Sequence, residues 1–274
     1  MPGERLDDIE LHLLLEGMYQ HYGYDFRGYA RGSIKRRIWR RVLDEGLQTI
    51  SALQERVLHD PECMQRLLLD LSISVTSMFR DPSFYSALRQ RVVPLMRTYP
   101  FIRVWNAGCS TGEETYSMAI VLREEGLADR TRIYATDIND VVLDQARKGL
   151  FPLDKMREYT QHYIEAGGRS SFSDYYKVYG DKVRFDPSLV DSVVFAQHNL
   201  VSDGSFNEFN LIVCRNVMIY FDRSLQDKVH DLFYESLVRF GVLALGHKES
   251  IKFTPHAQSY EELDEHEKLY RRTA

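Results

Sequence analysis

The 274-residue chain has room for one large domain or two smaller ones, and its 44% hydrophobic, 27% charged composition is that of an ordinary globular protein. A formal net charge of −5 and a pI of about 6.0 argue against a general affinity of the whole chain for nucleic acid. Cys63, Cys109 and Cys214 include no C-x-x-C pair, so neither a zinc site nor a disulfide framework is indicated and no metal is expected. The N-terminus is acidic and amphipathic rather than a signal peptide, and no apolar run approaches the ~20 residues of a membrane span, so the expected location is the cytoplasm without membrane insertion.

Residues 1–75 read as an all-helical domain. Leu11, Leu14, Leu15 and Met18 repeat at helical spacing. A second helix is expected over 33–45 with Ser33 as its N-cap and Ile34, Ile38 and Val42 as its apolar stripe. Its other faces carry Lys35, Arg36, Arg37, Arg40 and Arg41, a basic cluster in an acidic chain. The cluster is either a solvated face or a surface that steers an acidic helix. Helices are also expected over 50–58 and 61–71, and residues 76–99 form a linker containing a helix.

From residue 100 strands and helices alternate: strands at 102–106, 132–136, 193–197 and 211–214, helices at 113–125 and 140–148. A further helix carries the stripe Leu225, Val229, Leu232, Phe233 and Leu237, and 242–245 with 268–271 form a closing antiparallel pair. This alternation predicts an α/β domain over 100–274, with a mostly parallel, doubly wound sheet. Residues 167–190, rich in Tyr, Phe, Val and Gly, interrupt it as a small inserted β-subdomain, either a surface hairpin or a docking platform for a partner strand.

The first strand runs into Gly108-Cys109-Ser110-Thr111-Gly112, which satisfies both the nucleophile elbow G-x-S-x-G and a glycine-rich cofactor turn. A hydrolase would pair Ser110 with Asp203 or Asp222 and with His247. No His-Gly-Gly-Gly-like segment precedes the loop, however, and its strand is the first of the sheet. As a cradle, Gly108 and Gly112 would let the backbone approach a ligand closely. The helix opens with Glu113-Glu114, which would repel a pyrophosphate, and no Gly-Lys-Ser/Thr follows. A neutral or cationic ligand is expected, and S-adenosylmethionine, with a sulfonium, an ammonium and no phosphate, fits. Glu114 reads equally as stabilisation of the helix N-terminus. Asp137, at the end of the second strand, stands where an acceptor for ribose hydroxyls belongs; its alternative role is a helix cap.

Six ordered segments resemble the chemotaxis receptor methyltransferases, the CheR family: VTSMFRD (75–81), WNAGCSTGEETYSMA (105–119), ATDIN (135–139), HNL (198–200), CRNVMIYFD (214–222) and LALGHKES (243–250). The resemblance implies an N-terminal helical domain, a linker and a Rossmann-like cofactor domain with an inserted β-subdomain. It implies transfer of a methyl group from S-adenosylmethionine, leaving S-adenosylhomocysteine, to glutamate side chains of a methyl-accepting receptor. By the same resemblance Thr76 and Arg80, with Ser74 beside them, are linker contacts to the cofactor. Glu113 is the acidic residue of the first motif and Asp137 the ribose ligand. Asn199 and Leu200 hold the adenine region, and Arg215, Asn216 and Tyr220 stand at the mouth of the site. The basic helix faces the receptor's acidic helices. Met78-Phe79 replaces the family's usual Phe pair, Lys248 its usual Ser, and the tyrosine-dense 167–190 insert differs from the tail-docking version.

A glutamate is already ionised at neutral pH and needs no general base. The expected catalytic groups are therefore orienting ones: Arg80 gripping the carboxylate with a bidentate fork, Tyr220 adding a hydrogen bond. A monomer with no nucleic-acid partner is expected. Two other readings compete: an RNA or DNA methyltransferase using the basic helix on phosphates, and a non-catalytic adaptor that senses the cofactor.

Overall fold

Four helices open the chain: α1 (Pro2–Tyr22), α2 (Arg31–Asp44), α3 (Ile50–His59) and α4 (Pro61–Leu71). The structure, a computed structural model, describes residues 2–72 and 76–273, with side chains from residue 6 onward. The predicted apolar positions are the buried ones: Leu11, Leu14, Leu15 and Met18 on α1, and Ile34, Ile38 and Val42 on α2. Asp60 caps α4 by accepting from Glu62 N–H at 2.9 Å, with Pro61 in its first turn. The start of α2 differs from expectation. Its cap is Ala30, and Ser33 lies inside the helix, its N–H already donating to Ala30 O at 2.9 Å.

The chain clusters into two compact units, Met1–Ile73 with Tyr220–Lys228, and Ser74–Ile219 with Val229–Ala274. In the helical unit Tyr29 and Phe221 form an isolated antiparallel bridge, and Asp222 N–H donates to Gly28 O at 2.8 Å. Gly28 packs closely there: a Cβ would come 3.1 Å from the Leu225 side chain, which would have to give by a few tenths of an ångström. The basic cluster of α2 is largely neutralised inside this unit. Lys35 pairs with Asp7 and Asp8 at 3.3 and 3.2 Å, and Arg41 pairs with Asp70 at 2.6 Å and Glu45 at 3.3 Å. Arg37 donates to Leu71 O at 3.0 Å. Arg36 and Arg40 are the members that stay exposed, Arg40 at 3.8 Å from Asp44. The five-charge surface expected from the sequence is thus reduced to two outward arginines.

The second unit begins with α5 (Pro82–Ala87), which continues through a π-helical turn (Leu88–Val92) into α6 (Val93–Met96). The strands that follow are β1 (Ile102–Ala107), β2 (Thr131–Asp137), β3 (Leu150–Pro152), β4 (Tyr176–Tyr179), β5 (Lys182–Phe185), β6 (Val193–Gln197), β7 (Phe209–Cys214), β8 (Leu237–Leu245), β9 (Tyr260–Asp264) and β10 (Leu269–Arg272). Between them run α7 (Glu113–Glu124), α8 (Asp140–Lys148), α9 (Met156–Glu165) and α10 (Arg223–Ser236). The main sheet has the order β6-β2-β1-β7-β8-β10-β9. Its pairs are parallel from β6 to β8 and antiparallel at β8–β10 and β10–β9. The Rossmann-like fold class read from the sequence is the observed one. Strand order reverses direction between β1 and β7, so the crevice beyond the carboxyl ends of β1, β2 and β7 is the position where an open α/β sheet binds ligands. β7 is buried along its whole length, which is why its residues Leu211–Cys214 read as a continuous apolar run.

The small sheet has the order β3-β5-β4, all antiparallel. It starts at Leu150, well before the expected 167, because β3 pairs Phe151 with Val183. A three-residue strand carries too little alternation to be visible in sequence. The subdomain is anchored on Glu124, at the end of α7. Its carboxylate accepts from Tyr175 Oη at 2.9 Å and Arg169 N–H at 3.0 Å, and also from Tyr163 and Arg89. These donors offset the unfavourable position of a carboxylate at a helix C-terminus. Among the described residues no helix is long and apolar enough to cross a membrane.

Candidate active site

The glycine loop between β1 and α7 is a cradle without a catalytic base. Gly108 and Cys109 N–H both donate to Thr136 O, at 2.8 and 2.9 Å, which locks the loop to the end of β2. Gly108 (φ +74°) and Gly112 (φ +97°) are left-handed, and Ser110 joins them at φ 51°. The glycines serve protein packing more than expected. A Cβ on Gly108 would meet Val217 Cγ2 at 2.5 Å, and one on Gly112 would meet Ala146 Cβ at 2.9 Å. Ser110 Oγ is buried with no hydrogen-bond partner. His247, its would-be base, is paired with Glu267 at 2.8 Å. Among the described residues no base is hydrogen-bonded to Ser110 Oγ.

Asp137 closes the other side of the cradle. Its carboxylate accepts from Ser110 N–H at 2.9 Å and Asn139 N–H at 3.1 Å, leaving lone pairs for hydroxyl donors. Asn139, not Asp137, caps α8, through Val141 N–H at 2.9 Å. Burial pushes the Asp137 carboxyl above its ordinary range, against the bonds from Asn139 and Ser110. Glu113 is buried, accepts from Thr111 Oγ1 at 2.6 Å and is also shifted upward by burial. Asn199 is buried at the end of β6. Its side chain caps Val201 N–H at 2.9 Å, its own N–H donates to Asp203 at 2.9 Å, and Leu200 beside it is half-buried.

The linker turn is strained and heavily held. Phe79 (φ 50°) and Asp81 (φ 55°) flank Arg80 in left-handed conformations that non-glycine residues rarely adopt. Phe79 N–H donates to Ser117 Oγ at 2.9 Å, and Ser117 in turn donates to Glu113 O at 2.7 Å, tying the turn to the first coil of α7. Ser77 Oγ donates to Glu158 at 3.0 Å. Thr76 and Arg80 are half-buried in this turn. Ser74 lies outside the described residues.

Arg215 stands elsewhere than expected. It is not at a mouth: its side chain is 1% exposed. It donates to Asp81 Oδ2 at 2.7 Å, to Glu114 Oε2 at 2.9 Å and, from both Nη atoms, to Arg80 O at 3.3 Å, while its guanidinium stacks 4.0 Å from the Phe84 ring centroid. Glu114 also accepts from Asn106 Nδ2 at 2.7 Å, so this carboxylate serves as an internal strut. Asp81 is thus paired by Arg215. Asn216 is held at φ 61° by Glu249, whose two oxygens accept from the N–H groups of Asn216, Val217, Met218 and Gly246 at 2.7–3.0 Å. Tyr220 groups with the helical unit, where its carbonyl accepts from Ala30 N–H at 2.8 Å and its ring lies 5.1 Å from the Arg37 guanidinium.

The sequence reading assigned no role to Glu249 or Ser117, although both lie within quoted motifs. Their partners are distant in the chain, so spacing carries no signal for them. Glu249→Gln replaces one acceptor oxygen by an NH2 that faces N–H donors. It is expected to cost about 2 kcal/mol or more of stability, read from the urea midpoint.

The residues fit a cofactor with ribose hydroxyls and a cationic end. The orphaned Ser110 Oγ and the ionisable Asp137 line the loop, and Glu113 supplies a negative group at its helix end. The family model of the CheR methyltransferase, SAM binding domain, matches residues 74–266, and that of the CheR methyltransferase, all-alpha domain, matches residues 9–72. A Pseudomonas putida protein named Cher3 is 52% identical over 274 residues, covering 100% of both chains. The chemotaxis protein methyltransferase of Listeria monocytogenes is 31% identical over 84% of this chain and 85% of its own. That of Salmonella typhimurium is 30% identical over 89% and 85%.

Proposed function

The chain belongs to the CheR family of S-adenosylmethionine-dependent methyltransferases, and from that premise we propose that it methylates glutamate side chains of a methyl-accepting chemotaxis receptor in the cytoplasm. The products would be glutamyl methyl esters and S-adenosylhomocysteine. The observation that carries this reading is the turn holding Arg80, strained on both sides and clamped through its own carbonyl by Arg215. Such over-determination fits a residue whose position matters to chemistry. A guanidinium is the group best shaped to take a carboxylate by two parallel hydrogen bonds.

The bound cofactor supplies an electrophilic methyl group on a sulfonium. The chain supplies alignment and dehydration. Arg80 orients the attacking carboxylate, which is ionised at neutral pH and needs no base to remove a proton. Tyr220 adds one hydrogen bond to it. Asp137 accepts from ribose hydroxyls, Glu113 balances the cofactor's positive charge, and Ser110 Oγ gains the partner it lacks. Thr76, Asn199, Leu200 and Asn216 complete the enclosure. Arg36 and Arg40 are the basic groups left to attract acidic receptor helices.

Incubation with methyl-labelled S-adenosylmethionine and membranes of the source organism tests the reading. Labelled methanol released by mild base from a receptor-sized membrane protein supports it. A base-stable label on nucleic acid, or none despite cofactor binding, refutes it. Asp137→Ala is expected to weaken S-adenosylhomocysteine binding at least about tenfold in calorimetry, the scale of one hydrogen bond to a charged group. Because burial raises the Asp137 carboxyl, wild-type affinity should fall as pH is lowered through that raised value. The decline should begin at higher pH than an ordinary aspartate would dictate, and the Asp137→Asn variant should lack that part of it.

A further inference from the structure

The end of the β8–β10 pair assembles three ligand-type side chains that neither the cofactor nor the methyl transfer uses. Leu245 N–H donates to Lys268 O at 3.1 Å, so the segments leaving the two strands, Gly246-His247 and His266-Glu267, lie side by side. His247 Nε2 is 2.8 Å from Glu267 Oε2, and His266 Nδ1 is 2.8 Å from Glu267 Oε1. One ligand atom from each residue falls within 4.8 Å of the others. We propose that His247, His266 and Glu267 form a binding site for a divalent transition-metal ion of the zinc class.

Two imidazoles and a carboxylate are the donor set of zinc and its neighbours, whereas calcium and magnesium require oxygen ligands throughout. A tetrahedral ion at ~2.0–2.1 Å from each donor needs the donors roughly 3.4 Å apart. The two exposed rings can reach that by rotation, while the buried Glu267 stays fixed. Each imidazole would present one ring nitrogen to the ion in place of its hydrogen bond to Glu267. Glu267 is placed by its own N–H, which donates to Asp264 Oδ1 at 3.0 Å. Asp264, His266 and Glu267 line one cleft of about 640 Å³, which leaves room for water in the remaining coordination position. No spacing rule reveals this set, because His247 and Glu267 are 20 residues apart and meet only through the strand pairing.

Calorimetric titration of the untagged, full-length protein with zinc chloride tests the site. One equivalent should bind, and His247→Ala and His266→Ala should each weaken binding at least about tenfold. His266 is 80% exposed on its side chain, so its substitution leaves the fold intact. The cobalt-substituted protein should show the spectrum of nitrogen and oxygen ligands without a thiolate charge-transfer band, which separates this site from the three cysteines. No saturable binding, a thiolate band, or a smaller loss in both histidine variants overturns the proposal.

Discussion

Arg80→Ala is expected to lower the methyl-transfer rate constant about a hundredfold or more while the protein remains folded. The scale is that of removing one preorganised charged donor from a reacting centre. The fold should survive because the turn keeps contacts that do not involve the Arg80 side chain. Arg215 grips the carbonyl of residue 80, which alanine retains, and Phe79 N–H keeps its bond to Ser117. Arg80→Lys should recover little, since an ammonium cannot present two parallel donors to a carboxylate. Single-turnover rates at saturating cofactor, with calorimetric affinity for S-adenosylhomocysteine alongside, separate orientation of the carboxylate from cofactor binding. An unchanged rate constant would remove Arg80 from the reaction.

Arg215→Ala is the substitution expected to cost the most stability, about 3–5 kcal/mol. The side chain is 1% exposed and bridges Asp81 and Glu114, so its loss leaves two carboxylates facing each other without a cation. It also releases Arg80 O and the stacked face of Phe84. The urea midpoint should drop accordingly. Adding Glu114→Gln should return part of the loss, because the second change removes one unpaired charge; a double-mutant cycle measures the coupling. Strict additivity of the two changes would show that the bridge is not the stabilising element. Activity should fall together with stability, since the hub places Arg80 rather than touching the reacting atoms.

The fold class was legible in the chain because it rests on patterns that repeat locally. β1, β2, β6 and β7 are short apolar runs separated by helical periods, and Asn139 and Gly149 mark the ends of α8 by their capping chemistry. The three-residue β3 and the true start of α2 were not legible. β3 is defined by its partner β5, and Ala30 takes the cap position through a backbone bond to Tyr220 rather than through any side-chain preference.

The candidate site divides in the same way. Gly108, Ser110 and Asp137 share one loop and one strand end, so spacing alone brings them to the same crevice, and the structure joins Ser110 to Asp137 by a direct hydrogen bond. The charged residues could not be sorted by type. Arg215 and Glu114 carry the same chemistry as Arg80 and Glu113, and the fold pairs them with each other. Lys35 and Arg41 look like part of a docking face, yet both are neutralised within the helical unit. The sequence by itself determined the alternation of the main parallel strands with their helices, the glycine cradle and the kind of cofactor it admits, because backbone conformation and local charge are properties of neighbouring residues. Only the tertiary structure decided which charges are paired, why Glu249 holds the Asn216 loop, and that His247, His266 and Glu267 meet. Those are contacts between residues far apart in the chain, fixed by strand register and burial rather than by spacing.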